Sequence, residues 1–85
     1  MFYVYVLQDL NDPDRFYLGY SSDLKQRLQS HNEGRNRSTK HTQWKLVYYE
    51  AYTNKAFAIK REASLKRNSN MRRHMMDRIK GSLRD

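Results

Sequence analysis

The sequence predicts a small α+β domain, a three-stranded antiparallel sheet flanked by helices in the order β-β-α-β-α-α. Runs of aromatic and β-branched residues have the composition of strands at 2–8, 15–20 and 46–52. Longer segments repeat apolar residues at helical spacing, at about 22–32, 54–68 and 71–82. We interpret residues 1–85 as a single domain, because this length can bury one modest core.

The first strand, FYVYVLQ, is apolar on both faces. Alternation places Val4 and Val6 on one side and Tyr5 and Leu7 on the other. A strand buried on both faces lies inside a sheet and not at its edge, so we expect this strand to be central.

Turn-forming residues separate the first two strands. The sequence DLNDPDR contains the only proline and leads into a second strand that begins at Arg15 and ends at Gly19 or Tyr20. This arrangement predicts an antiparallel hairpin with a long loop. The third strand, LVYYEAY, spans 46–52.

The first helix follows the N-cap candidates Ser21-Ser22-Asp23. Helical spacing places four of its residues on one stripe, namely Leu24, Arg27, Leu28 and His31. Because the two leucines bury this stripe, we expect Arg27 and His31 to leave the helix beside the core. Gly34 should end the helix, since glycine tolerates positive φ.

The second helix, capped by Thr53 or Asn54, carries an isolated acid on its inner face. Glu62 lies between Ala58 and Leu65, on an otherwise apolar stripe. A carboxylate in that position needs a partner or a function.

The last helix follows a break at Asn68-Ser69-Asn70. Its apolar residues recur every four positions and predict a core-facing stripe of Met71, Met75, Ile79 and Leu83. We expect its charged residues on the outer face, namely Arg72, Arg73, Asp77, Arg78 and Lys80.

Charge indicates the kind of partner. Seventeen Lys and Arg against nine Asp and Glu give a net charge of +8, which favours a polyanion. Nucleic acid fits better than a membrane surface, because the basic residues do not oppose a broad apolar helix face. The absence of cysteine excludes disulfides and thiolate-bound metals and fits a reducing compartment. We therefore expect a cytoplasmic protein, monomer or homodimer, with no membrane partner.

The segment 34–45, GRNRSTKHTQWK, is polar and basic. It is either a solvated connection or a contact to the phosphate backbone. Trp44 also allows two interpretations, as a stacking platform for a base or as a packing residue at the edge of the core.

Two tripeptides and two longer segments follow one another in an order that is typical of a known protein family. Tyr3-Val4-Tyr5 and Tyr17-Leu18-Gly19 are followed by GYSSDLKQRLQSHN and later by AIKREASLK. Across essentially the whole chain this order resembles the GIY-YIG nuclease superfamily, and most closely its small single-domain branch. Each tripeptide alone is a weak motif, whereas the ordered set is fairly specific.

The resemblance implies an endonuclease, a hydrolase that cleaves phosphodiester bonds with one divalent metal ion, Mg²⁺ or Mn²⁺. It assigns the metal to Glu62, the phosphate to Arg27, and activation of water to one of Tyr5 and Tyr17. His31 corresponds to a residue that orients or deprotonates the nucleophile. The family's late polar residue corresponds to Asn68 or Asn70. We expect further nucleic-acid contacts from Arg35, Arg37, Lys40, His41, Lys45, Lys66 and Asn70.

These roles are chemically reasonable. A metal ion and a bidentate guanidinium neutralise charge on phosphate oxygens, and Mg²⁺ needs few protein ligands because it keeps most of its waters. A tyrosine with a pKa near 10 is a poor base at pH 7. Neighbouring cations and hydrogen bonds must therefore lower its pKa, or its proton must pass to His31.

Three positions depart from the family pattern. Tyr3 stands in place of the glycine of the first motif, and Leu18 replaces an isoleucine. Tyr20 stands where some relatives carry lysine, which removes one cation.

Taken singly, the same residues also have structural explanations. The tyrosines can be sheet aromatics, His31 can face the helix dipole, and Arg27 with Glu62 can form an ion pair between helices. We consider three functions: a nuclease acting on DNA in preference to RNA, with single-stranded or branched DNA as candidate substrates; a non-catalytic nucleic-acid-binding module on the same fold; and a protein-interaction adaptor. The positive charge and the intact five-residue set disfavour the adaptor, and the nuclease is our first hypothesis.

Overall fold

The computed structural model describes residues 1–84. The elements are β1 (Phe2–Asp9), β2 (Phe16–Ser21), α1 (Leu24–Asn32), β3 (Trp44–Tyr52), α2 (Lys55–Arg67) and α3 (Ser69–Ser82). The strands form one antiparallel sheet in the order β2-β1-β3. The predicted α+β fold and its element order are confirmed. Within the described part of the chain, no helix is long and apolar enough to cross a membrane.

Helices pack on both faces of the sheet, which explains why β1 is apolar on both sides. One face is covered by α2 and α3, and its buried residues are Val4, Val6, Ala58, Leu65, Met75 and Ile79. The opposite face meets α1, where Leu24 and Leu28 pack against the buried residues Tyr5, Leu7 and Trp44. The central position predicted for β1 is confirmed, and Tyr5 faces α1.

The helix ends follow the capping residues of the sequence. Asp23, Asn54 and Asn68 each accept a hydrogen bond from a backbone N–H three residues later, as N-caps do. Gly34, just beyond α1, has a φ of 78°. The predicted caps and the glycine stop are therefore confirmed, with Asp23 and Asn54 chosen from the candidates.

β3 begins at Trp44, two residues before the predicted start at 46. Trp44 pairs with Asp9 of β1, and the Asn32 side chain holds both its backbone N–H and its carbonyl, at 2.7 and 3.0 Å. These bonds extend the strand into the basic segment. Lys45 therefore lies on β3 and not in a loop.

α3 begins at Ser69, so the break between α2 and α3 is a single residue, Asn68. Arg72 was expected on the outer face, but it turns back and donates to the carbonyls of Leu65 and Lys66, at 3.1 and 2.8 Å. The last carbonyls of a helix lack intrahelical partners, and the guanidinium supplies them for α2.

Candidate active site

A buried chain of hydrogen bonds starts at Tyr5 on β1. The Tyr5 Oη lies 2.9 Å from Nε2 of His31 in the last turn of α1, and Nδ1 of His31 lies 2.7 Å from Oγ1 of Thr39. All three residues are 1% exposed. The Thr39 hydroxyl is also 3.5 Å from the backbone carbonyl oxygen of Asn36. The His31 imidazole on α1 therefore links β1 to the segment before β3.

The last acceptor in this series of hydrogen bonds, the Asn36 carbonyl oxygen, sets the direction of the others. A carbonyl can only accept, so the Thr39 hydroxyl donates to Asn36 and accepts from Nδ1–H of His31. Nε2 then carries a lone pair and accepts from the Tyr5 hydroxyl. Burial and the nearby Arg27 charge lower the pKa of His31. The imidazole is thus neutral near pH 7.

Tyr5 is a neutral phenol. Burial raises its pKa, the neighbouring Tyr17 and Glu62 raise it further, and the Arg27 guanidinium only partly opposes them. Two routes were expected: cations and hydrogen bonds lower the pKa of the catalytic tyrosine, or its proton passes to His31. For Tyr5 the first route does not apply, because desolvation outweighs the charge of Arg27.

Gly19 provides the space for the Tyr5 ring. The two residues are paired across β1 and β2. A Cβ atom at position 19 would lie 2.6 Å from Cζ of Tyr5, far inside van der Waals contact. Sequence reasoning used Gly19 only as a motif position, although glycine inside a strand often marks a close approach.

Tyr17 offers the more accessible hydroxyl. Its ring lies 4.9 Å from that of His31 and 6.4 Å from that of Tyr5 between centroids. Tyr17 is half-buried, in contrast to the buried Tyr5. Of the two tyrosines, Tyr17 is therefore the one more open to solvent.

Trp44 closes the inner side of this cluster. It is 3% exposed, lies 6.3 Å from the Tyr17 ring, and donates its Nε1–H to the Thr39 carbonyl at 3.0 Å. The packing interpretation of Trp44 is therefore right and the stacking platform is wrong. Its hydrogen bond fixes the segment that carries Thr39, a residue that sequence reasoning missed because it lies in a polar loop.

Arg27 and Glu62 act on Tyr5 from helices on opposite faces of the sheet. The positive charge of Arg27 on α1 lowers the Tyr5 pKa, and the negative charge of Glu62 on α2 raises it. Among residues 1–84 the ion pair of Glu62 is with Lys66, at 3.3 Å, and not with Arg27. The predicted alternative of an Arg27–Glu62 pair between helices is therefore wrong, and both side chains are half-buried.

Glu62 is the residue that could hold a divalent ion. Over the described residues, no three His, Cys, Asp or Glu side chains lie together as a metal-binding group. This donor set does not fit a closed zinc site, which needs four ligands. It fits a single Mg²⁺ or Mn²⁺ that keeps several waters and takes other ligands from a phosphate.

The basic residues predicted to bind nucleic acid are dispersed. Arg37, Lys40 and His41 are exposed on the segment around Thr39, and Arg35 pairs with Glu33 at 3.1 Å. Lys66 lies beside Glu62, whereas Lys45 on β3 and Asn70 in the first turn of α3 are exposed. The side chain of Asn68 is used as the N-cap of α3.

A second polar network lies on the α2 side of the sheet and was not predicted. Both carboxylate oxygens of Glu50 accept hydrogen bonds, from Arg61 at 2.9 and 3.0 Å and from Tyr48 and Tyr52 at 2.6 and 2.5 Å. Burial alone would raise the pKa of Glu50, but these donors outweigh it and lower the pKa to about 2. The network joins β3 to α2.

Comparison with known proteins decides the family. A family model described as the GIY-YIG catalytic domain matches residues 1–75. The chain belongs to the GIY-YIG family. This family falls in an endonuclease superfamily, so the predicted resemblance is confirmed.

Curated GIY-YIG relatives come from Streptococcus pyogenes. UPF0213 protein SpyM3_1077 of serotype M3 and UPF0213 protein SpyM50708 of serotype M5 are each 38% identical to this chain over 69 residues. Each match covers 76% of this chain and 71% of the relative. No solved structure gives a significant match.

The structure shows where two residues that depart from the GIY-YIG motif pattern, Tyr20 and Tyr3, lie relative to the core. Tyr20 packs against the core beneath α2 and α3 and is therefore structural. Tyr3 belongs to neither buried core cluster.

Proposed function

We propose that this GIY-YIG protein is a divalent-metal-dependent endonuclease that hydrolyses phosphodiester bonds in DNA. The observation that carries the proposal is the buried hydrogen-bond chain Tyr5–His31–Thr39, with the Tyr17 ring against His31 and the Arg27 charge acting on Tyr5. The net charge of +8 favours a polyanionic substrate.

Arg27 and Tyr17 are the groups that contact substrate in this proposal. The guanidinium of Arg27 offers two parallel donors to a phosphate and stabilises the charge that grows on its oxygens. The half-buried hydroxyl of Tyr17 holds the attacking water in line with the phosphorus.

Tyr5 and His31 position these groups. Tyr5 is neutral and donates to His31, and His31 is held by Thr39, so no member of this buried chain is free to rotate. The His31 ring packs edge-on against Tyr17 and fixes its orientation.

Glu62 would hold the metal ion. When bound, a divalent ion lowers the pKa of coordinated water and neutralises phosphate charge. Lys66 must move from the Glu62 carboxylate to make room, and its half-exposed side chain can turn toward the phosphate backbone.

The proposal is tested by incubating the purified chain with labelled single-stranded and duplex DNA in Mg²⁺, Mn²⁺ or chelator. Glu62→Ala and Arg27→Ala are expected to abolish a metal-dependent cleavage seen with the wild type. Two matched surface substitutions, Glu33→Ala and Arg73→Ala, are expected to retain that cleavage.

Circular dichroism of every variant separates loss of chemistry from loss of fold. Binding without cleavage in every metal would replace the nuclease by a non-catalytic binding module on the same fold. Cleavage that survives in Glu62→Ala would remove Glu62 from the metal site.

A further inference from the structure

Tyr3 and Tyr49 form an aromatic pair on the open part of the sheet. Their ring centroids are 5.9 Å apart and the rings are inclined by 72°, an edge-to-face contact. Tyr49 is 54% exposed and Tyr3 is half-buried. A tyrosine held by its neighbour and open to solvent presents a fixed aromatic face.

This pair lies beside the candidate active site. Tyr49 is the direct partner of Tyr5 across β1 and β3, so the two Cβ atoms are about 5 Å apart on the same face. Tyr3 is two residues before Tyr5 and shares that face. The pair therefore continues the surface that holds Tyr5, on the side toward β3.

α1 leaves this end of the face open. Its leucines, Leu24 and Leu28, pack at the end of the sheet that carries Leu7 and Trp44. Ala51, the partner of Tyr3 on β3, is exposed. The aromatic pair is thus accessible from solvent beside the chemistry proposed for Tyr5 and Arg27.

The two rings do not attach the helices to the sheet. Neither belongs to the buried clusters that hold the helices to the sheet. Tyr3 also occupies the position at which the first family motif has glycine.

We propose that Tyr3 and Tyr49 are a stacking platform for an unpaired nucleobase. The proposal rests on the proposed function, in which Arg27 holds the adjoining phosphate. The excess of 17 basic over 9 acidic residues favours a nucleic-acid strand over an apolar protein segment as the occupant. Aromatic side chains stack on any base, because every base has a π-face.

The platform selects unpaired nucleotides. Bases inside a duplex are already stacked on both sides and reach a protein ring only when they are splayed out. The nuclease is therefore expected to prefer single-stranded DNA, or a branch with an unpaired nucleotide next to the cut.

The test measures binding without catalysis. Fluorescence anisotropy in EDTA gives the Kd of the 85-residue chain for three labelled oligonucleotides: a single strand, its duplex, and a single strand of abasic sites. Tyr49→Leu keeps apolar area but removes the ring, and Tyr49→Phe keeps the ring. Phe57→Ala is the control, since Phe57 is an equally exposed aromatic on α2, 58% against 54%.

Tyr49→Leu is expected to weaken binding of the single strand by about fivefold or more. Tyr49→Phe and Phe57→Ala should bind it like the wild type, and Tyr49→Leu should leave the duplex and abasic Kd unchanged. An equal loss on all three oligonucleotides, no loss on the single strand, or a wild type that binds no oligonucleotide at low salt overturns the platform.

The two proposals fail separately. Tyr49-dependent binding of single strands without cleavage in any metal leaves the platform and removes the nuclease. Cleavage that needs Glu62, together with single-strand binding unchanged in Tyr49→Leu, leaves the nuclease and removes the platform.

Discussion

The ring of Tyr5 occupies the space in which any residue but glycine at position 19 would place its side chain. Gly19 is buried on β2, directly opposite Tyr5 on β1, and a Cβ atom there would meet Cζ of the ring at 2.6 Å. The same Tyr5 hydroxyl donates to His31 at 2.9 Å. The second motif of the family thus supplies both Tyr17 and a glycine that leaves room for the Tyr5 ring.

Gly19→Ala is expected to displace Tyr5 from His31. Overpacking of this kind costs about 1–3 kcal/mol of unfolding free energy, which urea denaturation measures. Because the displaced ring no longer holds His31, DNA cleavage should fall by about ten- to a hundredfold even at temperatures where the variant stays folded.

Gly81→Ala is the matched control. Gly81 lies in α3, and no atom lies within 4 Å of the place its Cβ would take. Alanine there should leave cleavage unchanged and add about 0.5–1 kcal/mol of stability. Equal behaviour of the two alanine variants would contradict the role assigned to Gly19.

Thr39→Val is expected to let His31 adopt both neutral tautomers, where the wild type holds only the one protonated at Nδ1. Valine has the shape of threonine but cannot accept from Nδ1–H, so a buried donor loses its partner at a cost of about 1–3 kcal/mol. Nitrogen NMR of the imidazole should then show a mixture of tautomers, and cleavage should fall. Thr39→Ser keeps the hydroxyl and should restore the single tautomer. A valine variant that keeps the single tautomer and cleaves like the wild type would show that the shape of the side chain suffices.

Local sequence patterns predicted the elements and several groups of the site, but not their contacts. Helical spacing placed Arg27 and His31 beside the core, and the apolar residues on both faces of β1 predicted a central strand. Thr39 escaped prediction because its burial depends on a hydrogen bond from Trp44, a contact that no periodicity encodes.

Long-range pairing explains the other errors. Arg61 pairs with Glu50 across α2 and β3, because strand register and helix packing bring these two charges together. Glu62, in contrast, pairs locally with Lys66 one helical turn away and not with Arg27. The raised pKa of Tyr5, like the Arg61–Glu50 pair, has a long-range origin, since it depends on how much water the finished core excludes.

The Glu50 network predicts acid sensitivity. The pKa of Glu50 is about 2 in the folded protein, against an ordinary 4.5. A depressed carboxyl pKa adds stability above pH 4.5 and loses it as the pH falls from about 4.5 to 2. Glu50→Gln should therefore be less stable than the wild type at pH 7, by about 1–2 kcal/mol once screening by solvent is allowed for.

Urea denaturation at several pH values checks this. The difference between wild type and Glu50→Gln should shrink steadily below pH 4.5, as the wild-type carboxyl gains its proton. Glu33→Gln, which changes an exposed ion pair, should show no such trend. A difference that stays constant down to pH 2.5 would mean that Glu50 contributes through packing and not through its charge.

Lys66 is expected to compete with a divalent cation for Glu62. Their ion pair spans one helical turn at 3.3 Å, with the lysine half-exposed and the carboxylate 20% exposed. Pairs of this kind contribute about 0.3–0.5 kcal/mol, so Lys66→Met should tighten binding of Mn²⁺ to the free protein by about twofold. Electron paramagnetic resonance of Mn²⁺ without DNA measures this directly, and Glu62→Gln should abolish the binding. At saturating metal, cleavage by Lys66→Met should be slower than that of the wild type, because the variant lacks a cation for the phosphate backbone. An unchanged Mn²⁺ affinity in Lys66→Met would show that Lys66 does not compete with the metal for Glu62.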